Sequence, residues 1–231
     1  MSILFFLVFC PLLSLGDRLE GCEDSWCKND GPVIHFPFRL SHQQKHCGYP
    51  GFELRCNNQK DTILELPSSV HLVVERIDYS SQQIHLHDPD ECIVSKLPKL
   101  NLSQSNFRNA DDTAVLFNCS VSSTENFDGY LVPCLDSSGY QVYAVSSNFS
   151  LDIFLSWPCT KIHQYPYSAY TFGNNKLQLN WPIPLCGNCE SRGMDCGFKN
   201  GIKLSETHCF NRTVTQKGIT KQPLIAGVIL G

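Results

Sequence analysis

Cys47-Gly48-Tyr49-Pro50-Gly51-Phe52-Glu53-Leu54-Arg55-Cys56 places two cysteines around a turn and the start of a strand. Pro50 fixes φ at the second turn position and Gly51 tolerates positive φ at the third, so residues 49–52 suit a type II turn. Beyond the turn, Phe52 and Leu54 alternate with Glu53 and Arg55, the period-2 pattern of a half-buried strand. Spacing alone does not say whether Cys47 and Cys56 pair with each other or elsewhere.

The same pattern continues on both sides. Upstream, residues 33–40 place Ile34, Phe36, Phe38 and Leu40 on one face, but Pro37 lacks a ladder donor and demotes this run to an edge strand or bulge, a candidate contact surface. Downstream, residues 63–66, 72–79 and 83–87 read as successive strands, and Ser80-Ser81-Gln82 makes the last two a hairpin. Residues 93–126 are polar and read as a bridge, with a strand-like run at 113–119. The second half supplies a strand-like run at 140–145, Trp157-Pro158-Cys159 with its near-repeat Trp181-Pro182, then Cys186-Gly187-Asn188-Cys189, Cys196-Gly197-Phe198 and Cys209. The expected fold class is mainly β: a disulfide-rich extracellular ectodomain of two small β modules.

With 231 residues, of which 42% are hydrophobic, the chain can build a core and is no disordered tail. Residues 3–15 form an apolar run of signal-peptide length, followed by small residues suited to cleavage near residue 16. Removing Cys10 with that segment leaves twelve of thirteen cysteines, the even number a disulfide framework requires: Cys22, Cys27, Cys47, Cys56, Cys92, Cys119, Cys134, Cys159, Cys186, Cys189, Cys196 and Cys209. Four Asn-x-Ser/Thr sequons, at Asn101, Asn118, Asn148 and Asn211, suit the same oxidising compartment as glycosylation sites. The formal net charge of −4 argues against a nucleic-acid partner.

No arrangement of residues makes a catalytic centre. Cys186, Cys189, Cys196 and Cys209 have spacings compatible with zinc, but an oxidising compartment favours disulfides, and no βαβ context supports a redox Cys-x-x-Cys. His85 and His87 share a strand face without a third ligand in view. Asp88, Asp90 and Glu91 around Pro89 make an acidic turn rather than a placed pair of glycosidase carboxylates, and neither a Gly-x-Ser-x-Gly elbow nor a phosphate-binding glycine loop is present. No catalysis, no cofactor and no metal are therefore expected.

Cys22, Cys27, the Ile34-His35-Phe36-Pro37-Phe38 run, the Cys47 to Cys56 stretch, then Ile77-Asp78-Tyr79 and Gln83-Ile84 together resemble the galacturonan-binding domain of plant wall-associated receptor kinases, over residues 22 to 92. The Phe-Pro-Phe-Arg-Leu and Cys-Gly-Tyr-Pro-Gly-Phe versions look most like the ectodomains of membrane-anchored RING-type ubiquitin ligases of the ATL group, and leaf-rust-type receptor kinases carry similar ones. Cys27-Lys28 departs from the Cys-Gly found in many members. The later cysteines resemble the C-terminal wall-associated module that follows in such proteins.

The resemblance implies a signal peptide at 1–16, a galacturonan-binding-like domain at 17–92, a cysteine-rich module at 93–215 and a juxtamembrane stub at 216–231. That stub would open a truncated transmembrane helix at residues 224–231, too short at 1.5 Å per residue to cross a bilayer. It further implies a secreted or cell-surface binder of cell-wall pectin or oligogalacturonide, type I membrane-anchored where the helix is completed. In the alternative, the chain is the outer part of a RING-type E3 ubiquitin ligase or receptor kinase whose enzyme lies past residue 231. A polyanionic ligand calls for cations and aromatic faces. Residues 39–60 hold Arg39, Lys45, Arg55 and Lys60 against Glu53 alone, a net +3, with Tyr49 among them, so these five are the candidate polysaccharide-binding residues. Residues 61–91 carry −6, and their acidic turn at 88–91 offers a calcium-bridged route to pectate as a variant.

Overall fold

The computed structural model describes residues 21–110, 112–120, 129–148, 158–199 and 206–212. The leader at 1–16, Trp157 and the apolar run 224–231 lie outside these residues. Among the described residues no helix is long and apolar enough to cross a membrane.

Strands dominate. Arg39–Leu40 (β1), Glu53–Cys56 (β2), Thr62–Leu66 (β3), Val70–Asp78 (β4) and Gln83–His87 (β5) follow one another in sequence and in space. Tyr49 to Phe52 forms the expected turn: Gly51 has φ of 84° and the Phe52 N–H donates to the Tyr49 carbonyl at 3.1 Å. β4 and β5 pair from Asp78↔Gln83 back to Val73↔His87, which is the expected hairpin. Residues 33–40 form less strand than their alternation suggests. The Phe36-Pro37 bond is cis; Ile34 makes a single antiparallel bridge with Ser25, and only Arg39–Leu40 join the sheet, in parallel with β2 at its edge, because a proline at 37 cannot donate to a ladder.

Arg108–Asn109 (β6) and Lys176–Asn180 (β11) complete this first sheet, whose order is β1-β2-β3-β4-β5-β11-β6. A strand drawn from late in the chain thus lies beside β5, in the register Leu177↔Leu86 and Leu179↔Ile84. A second sheet, ordered β10-β7-β9-β8, comprises Ala114–Ser120 (β7), Tyr130–Leu131 (β8), Tyr140–Ser146 (β9) and Cys159–Tyr165 (β10). Met194–Phe198 (β12) and Thr207–Asn211 (β13) form a small ribbon. Two short helices, Ala169–Gly173 (α1) and Gly187–Glu190 (α2), precede β11 and the ribbon.

Alternation puts Leu54, Leu64, Leu72, Ile84, Leu86, Leu177 and Leu179 on the inner face of the first sheet, each at most 2% exposed. They share one buried cluster with Ala114, Leu116, Val142 and Ala144 of the second sheet. At its centre Phe38 meets Phe52 and Trp181 edge-on, each at 5.1 Å between ring centroids. The polar 93–109 segment, which reads as a bridge, in fact supplies Ile93, Val94, Leu97, Leu100 and Phe107 to this core. Its Asn106 also clamps the opening turn by donating to the Pro50 carbonyl at 2.6 Å.

The twelve cysteines form six disulfides: Cys22–Cys47, Cys27–Cys56, Cys92–Cys134, Cys119–Cys159, Cys186–Cys196 and Cys189–Cys209. Cys47 and Cys56 therefore bind the residues before β1 rather than each other. The four cysteines with zinc-like spacing tie α2 to the ribbon. Charge also joins α2 to the ribbon, since Arg212 lies 3.0 Å from Glu190 and 2.9 Å from Asp195; His35 lies 3.3 Å from Glu190.

Candidate functional site

The five residues expected from sequence to grip a polyanion differ in exposure: Lys45, Arg55 and Lys60 are exposed, whereas Arg39 and Tyr49 are partly buried. Arg39 is turned inward, its side chain 13% exposed. One of its guanidinium nitrogens donates to the carbonyls of Leu40 and Gln43 at 3.2 and 3.1 Å, and the other pairs with Glu53. Gly48 lies against its stem, where a Cβ would come within 2.8 Å of Arg39 Cγ. The donor fork that could hold a ligand carboxylate is thus spent on the turn, and Arg39 positions backbone. Tyr49 is half-buried, its ring 5.8 Å from Phe52 and 5.9 Å from Phe198.

Arg55 is open, 60% exposed, but stands between two carboxylates, Glu65 at 3.3 Å and Glu53 at 3.8 Å. Lys45 and Lys60 are exposed with no ion pair among the described residues. Topology offsets part of the local +3. Antiparallel pairing of β2 with β3 lays the acidic 61–66 segment beside the basic one, so Glu65 reaches Arg55, while Asp61 takes Lys28 at 3.2 Å. A charge count along the chain cannot see this.

The acidic turn at 88–91 is also internally committed. Asp88 is fully buried, accepts from the N–H groups of Asp90 and Cys92 at 3.1 and 3.2 Å, and pairs with Lys96. Lys96 also reaches Asp90 at 2.9 Å, and these carboxylates hold the ammonium above its ordinary pKa against the opposing effect of its own burial. Cys22, His46 and Cys47 come close enough to suggest a metal, but the two sulfurs are joined to each other and offer no thiolates.

What the fold does assemble is the outer face of the first sheet, which sequence reading reached only through His85 and His87. The period of two that buries Ile84 and Leu86 turns those histidines outward, and register sets Gln178 and Arg76 beside His85 and Lys176 beside His87. A groove of about 700 Å³ runs along this face. One wall is formed by Arg76, His85, Lys176 and Gln178, the other by Asn109, Asp112, Tyr167 and Tyr170. A second hollow of about 620 Å³ adjoins it and shares Glu75 and Lys176, which pair at 3.0 Å between the two. Arg76 contacts His85 at 2.7 Å and Asp78 at 3.6 Å. Desolvation, then the nearby Arg76 charge, holds His85 below the usual histidine pKa, whereas the Glu75 hydrogen bond raises that of Lys176. Tyr170 stands half exposed at the rim and meets Tyr130 edge-on at 5.9 Å.

Among the described residues, six disulfides and sheets of seven, four and two strands make a mainly β, disulfide-rich fold with a broad polar face. Residues 22–88 match the family described as wall-associated receptor kinase galacturonan-binding. The chain is 33% identical to the RING-H2 finger protein ATL22 of Arabidopsis thaliana, over 90% of its own length and 58% of the relative's. It is 28% identical to the Arabidopsis thaliana leaf rust 10 disease-resistance locus receptor-like protein kinase-like 1.2, over 100% of its length and 40% of the kinase. It spans 58% to 63% of the length of three RING-H2 relatives that it matches. No solved structure matches the chain.

Proposed function

We propose that the chain is a cell-wall polysaccharide-binding ectodomain that takes pectic galacturonan and performs no catalysis itself. The observation carrying this reading is the galacturonan-binding family match at residues 22–88, the region that supplies β1 to β5 and most of the outer sheet face. Of the five residues proposed from sequence, Lys45, Arg55 and Lys60 present exposed cations for carboxylates, and Arg39 and Tyr49 shape the turn that carries them. The disulfides and sequons support a secreted or cell-surface location. The proposed division at residue 92 separates the matched region from a wall-associated-like module. Titration calorimetry of the refolded, oxidised chain with oligogalacturonides tests the reading; saturable binding supports it, and a flat titration with every galacturonan form would remove it.

A second reading rests on the relatives' lengths and names. The chain aligns with a little over half of each RING-H2 protein, so it serves as the outer, wall-sensing part of a longer membrane-anchored ubiquitin ligase or receptor kinase. Mapping the transcript beyond the codon for Gly231 discriminates the two: RING-H2 or kinase coding sequence supports this reading, and a stop codon supports a stand-alone binder.

A further inference from the structure

The groove on the outer sheet face has the size of a ligand site but the wrong electrostatics for a polyanion. Its volume, about 700 Å³, falls in the range of sites that enclose small ligands, and its partner hollow extends it past the Glu75–Lys176 pair, as a linear chain requires. Its cations, Arg76 and Lys176, are offset by Glu75 and Asp112, and the adjoining hollow adds Asp90 and Glu91. Both cations are also engaged, Lys176 with Glu75 and Arg76 with Asp78 and His85. His85 titrates below its ordinary range and contributes no compensating charge at neutral pH. A run of carboxylates entering this trough would meet no positive excess and would have to break existing pairs.

The uncharged features suit a sugar whose carboxylates are masked. Tyr170 offers a half-exposed ring at the rim, and Asn109, Gln178 and Ser168 line the groove with neutral donors and acceptors. Pyranose rings present C–H faces that pack on aromatic rings and hydroxyls that bond amides. Resting on the galacturonan-binding reading, we infer that the trough between the outer sheet face and α1 takes the methyl-esterified, charge-neutral segments of a galacturonan chain, with Tyr170 and Gln178 as contact residues. The exposed lysines outside the trough are then left for free carboxylates, so a partly esterified chain is read at two places by two kinds of chemistry.

The test uses the whole oxidised chain and two oligogalacturonides of equal length, one fully methyl-esterified and one fully de-esterified, titrated by calorimetry at low and high salt. The esterified form binds with an affinity that salt leaves unchanged; Tyr170→Ala weakens it about tenfold and Tyr170→Phe, which keeps the ring, does not. Gln178→Ala, an exposed strand position, gives an independent loss, and an unchanged thermal midpoint in each variant establishes folding. Binding of the de-esterified form alone overturns the trough assignment and leaves the galacturonan reading standing. Esterified binding indifferent to both Tyr170→Ala and Gln178→Ala also overturns it. Failure of both forms to bind overturns the trough and the galacturonan reading together.

Discussion

Arg39 separates a fold role from a ligand role, and the two make opposite predictions. In the structure its guanidinium donates to the Leu40 and Gln43 carbonyls and pairs with Glu53, while its stem lies against Gly48. A hydrogen bond from a charged donor contributes about 1.5–3 kcal/mol, and the three contacts share one guanidinium and a partly exposed Glu53, so they do not add in full. Arg39→Ala should therefore cost about 3 kcal/mol of stability, and Arg39→Lys, which keeps charge but loses the fork, about 2 kcal/mol. With a urea slope of about 2 kcal/mol per M, the alanine variant unfolds about 1.5 M earlier. Urea denaturation of both variants, with disulfides intact, measures this, and Glu53→Gln in a double-mutant cycle isolates the pair. If Arg39→Ala leaves the urea midpoint in place while lowering affinity for galacturonan, the guanidinium is a ligand contact and the reasoning from its inward geometry is wrong.

Removing the Cys27–Cys56 bridge by a double Cys→Ala change releases a loop of separation 29 and should cost about 3.5 kcal/mol in an unfolding experiment; a loss below about 1 kcal/mol would contradict it. Asn118 shares its strand face with buried Ala114 and Leu116, and its side-chain oxygen is enclosed, so glycopeptide mass spectrometry should find glycan at exposed Asn101, Asn148 or Asn211 and none at Asn118. Asp61 is held below the ordinary carboxylate pKa by its Lys28 hydrogen bond, and Asp78 by the Ser81 N–H. Both stay ionised in the folded chain at pH values where the unfolded chain protonates them. Their contribution is present above the ordinary range near pH 4 and is lost as pH falls through the lowered folded values. Asp61→Asn with Asp78→Asn should flatten the acid limb of the stability profile, as thermal midpoints between pH 2 and 6 would show.

Local features survived the passage from sequence to structure. The Pro50-Gly51 turn and the 72–79 and 83–87 hairpin depend on near neighbours in sequence, so alternation and turn chemistry suffice to find them, and alternation within 113–119 and 140–145 marks those runs as strands without naming their partners. What escaped is non-local. The insertion of Lys176–Asn180 between β5 and β6 leaves only a short Leu-x-Leu alternation in the sequence, and nothing there names its partner. The pairing of Cys47 with Cys22 and Cys56 with Cys27 follows from the return of the N-terminal segment over the turn. Part of the basic segment's excess is offset for the same reason, since hairpin pairing brings Glu65 to Arg55. The groove was visible only through outward His85, because its other wall comes from Asn109, Ala110, Asp112, Tyr167, Ser168, Tyr170 and Thr171.

The position of β11 beside β5 also sets a timetable. During synthesis at about 5–20 residues per second, β5 is complete about ninety residues before its partner is made, so its edge waits roughly 5 to 20 s for Lys176–Asn180 to be translated. Through that interval Ile84 and Leu86 lack the cover of Leu179 and Leu177, and a row of backbone N–H and C=O groups stands open to any extended chain nearby. Closing this seam is a late event that joins segments made about ninety residues apart, and until residue 180 has cleared the ribosome the edge of β5 is a place where the nascent chain can mispair.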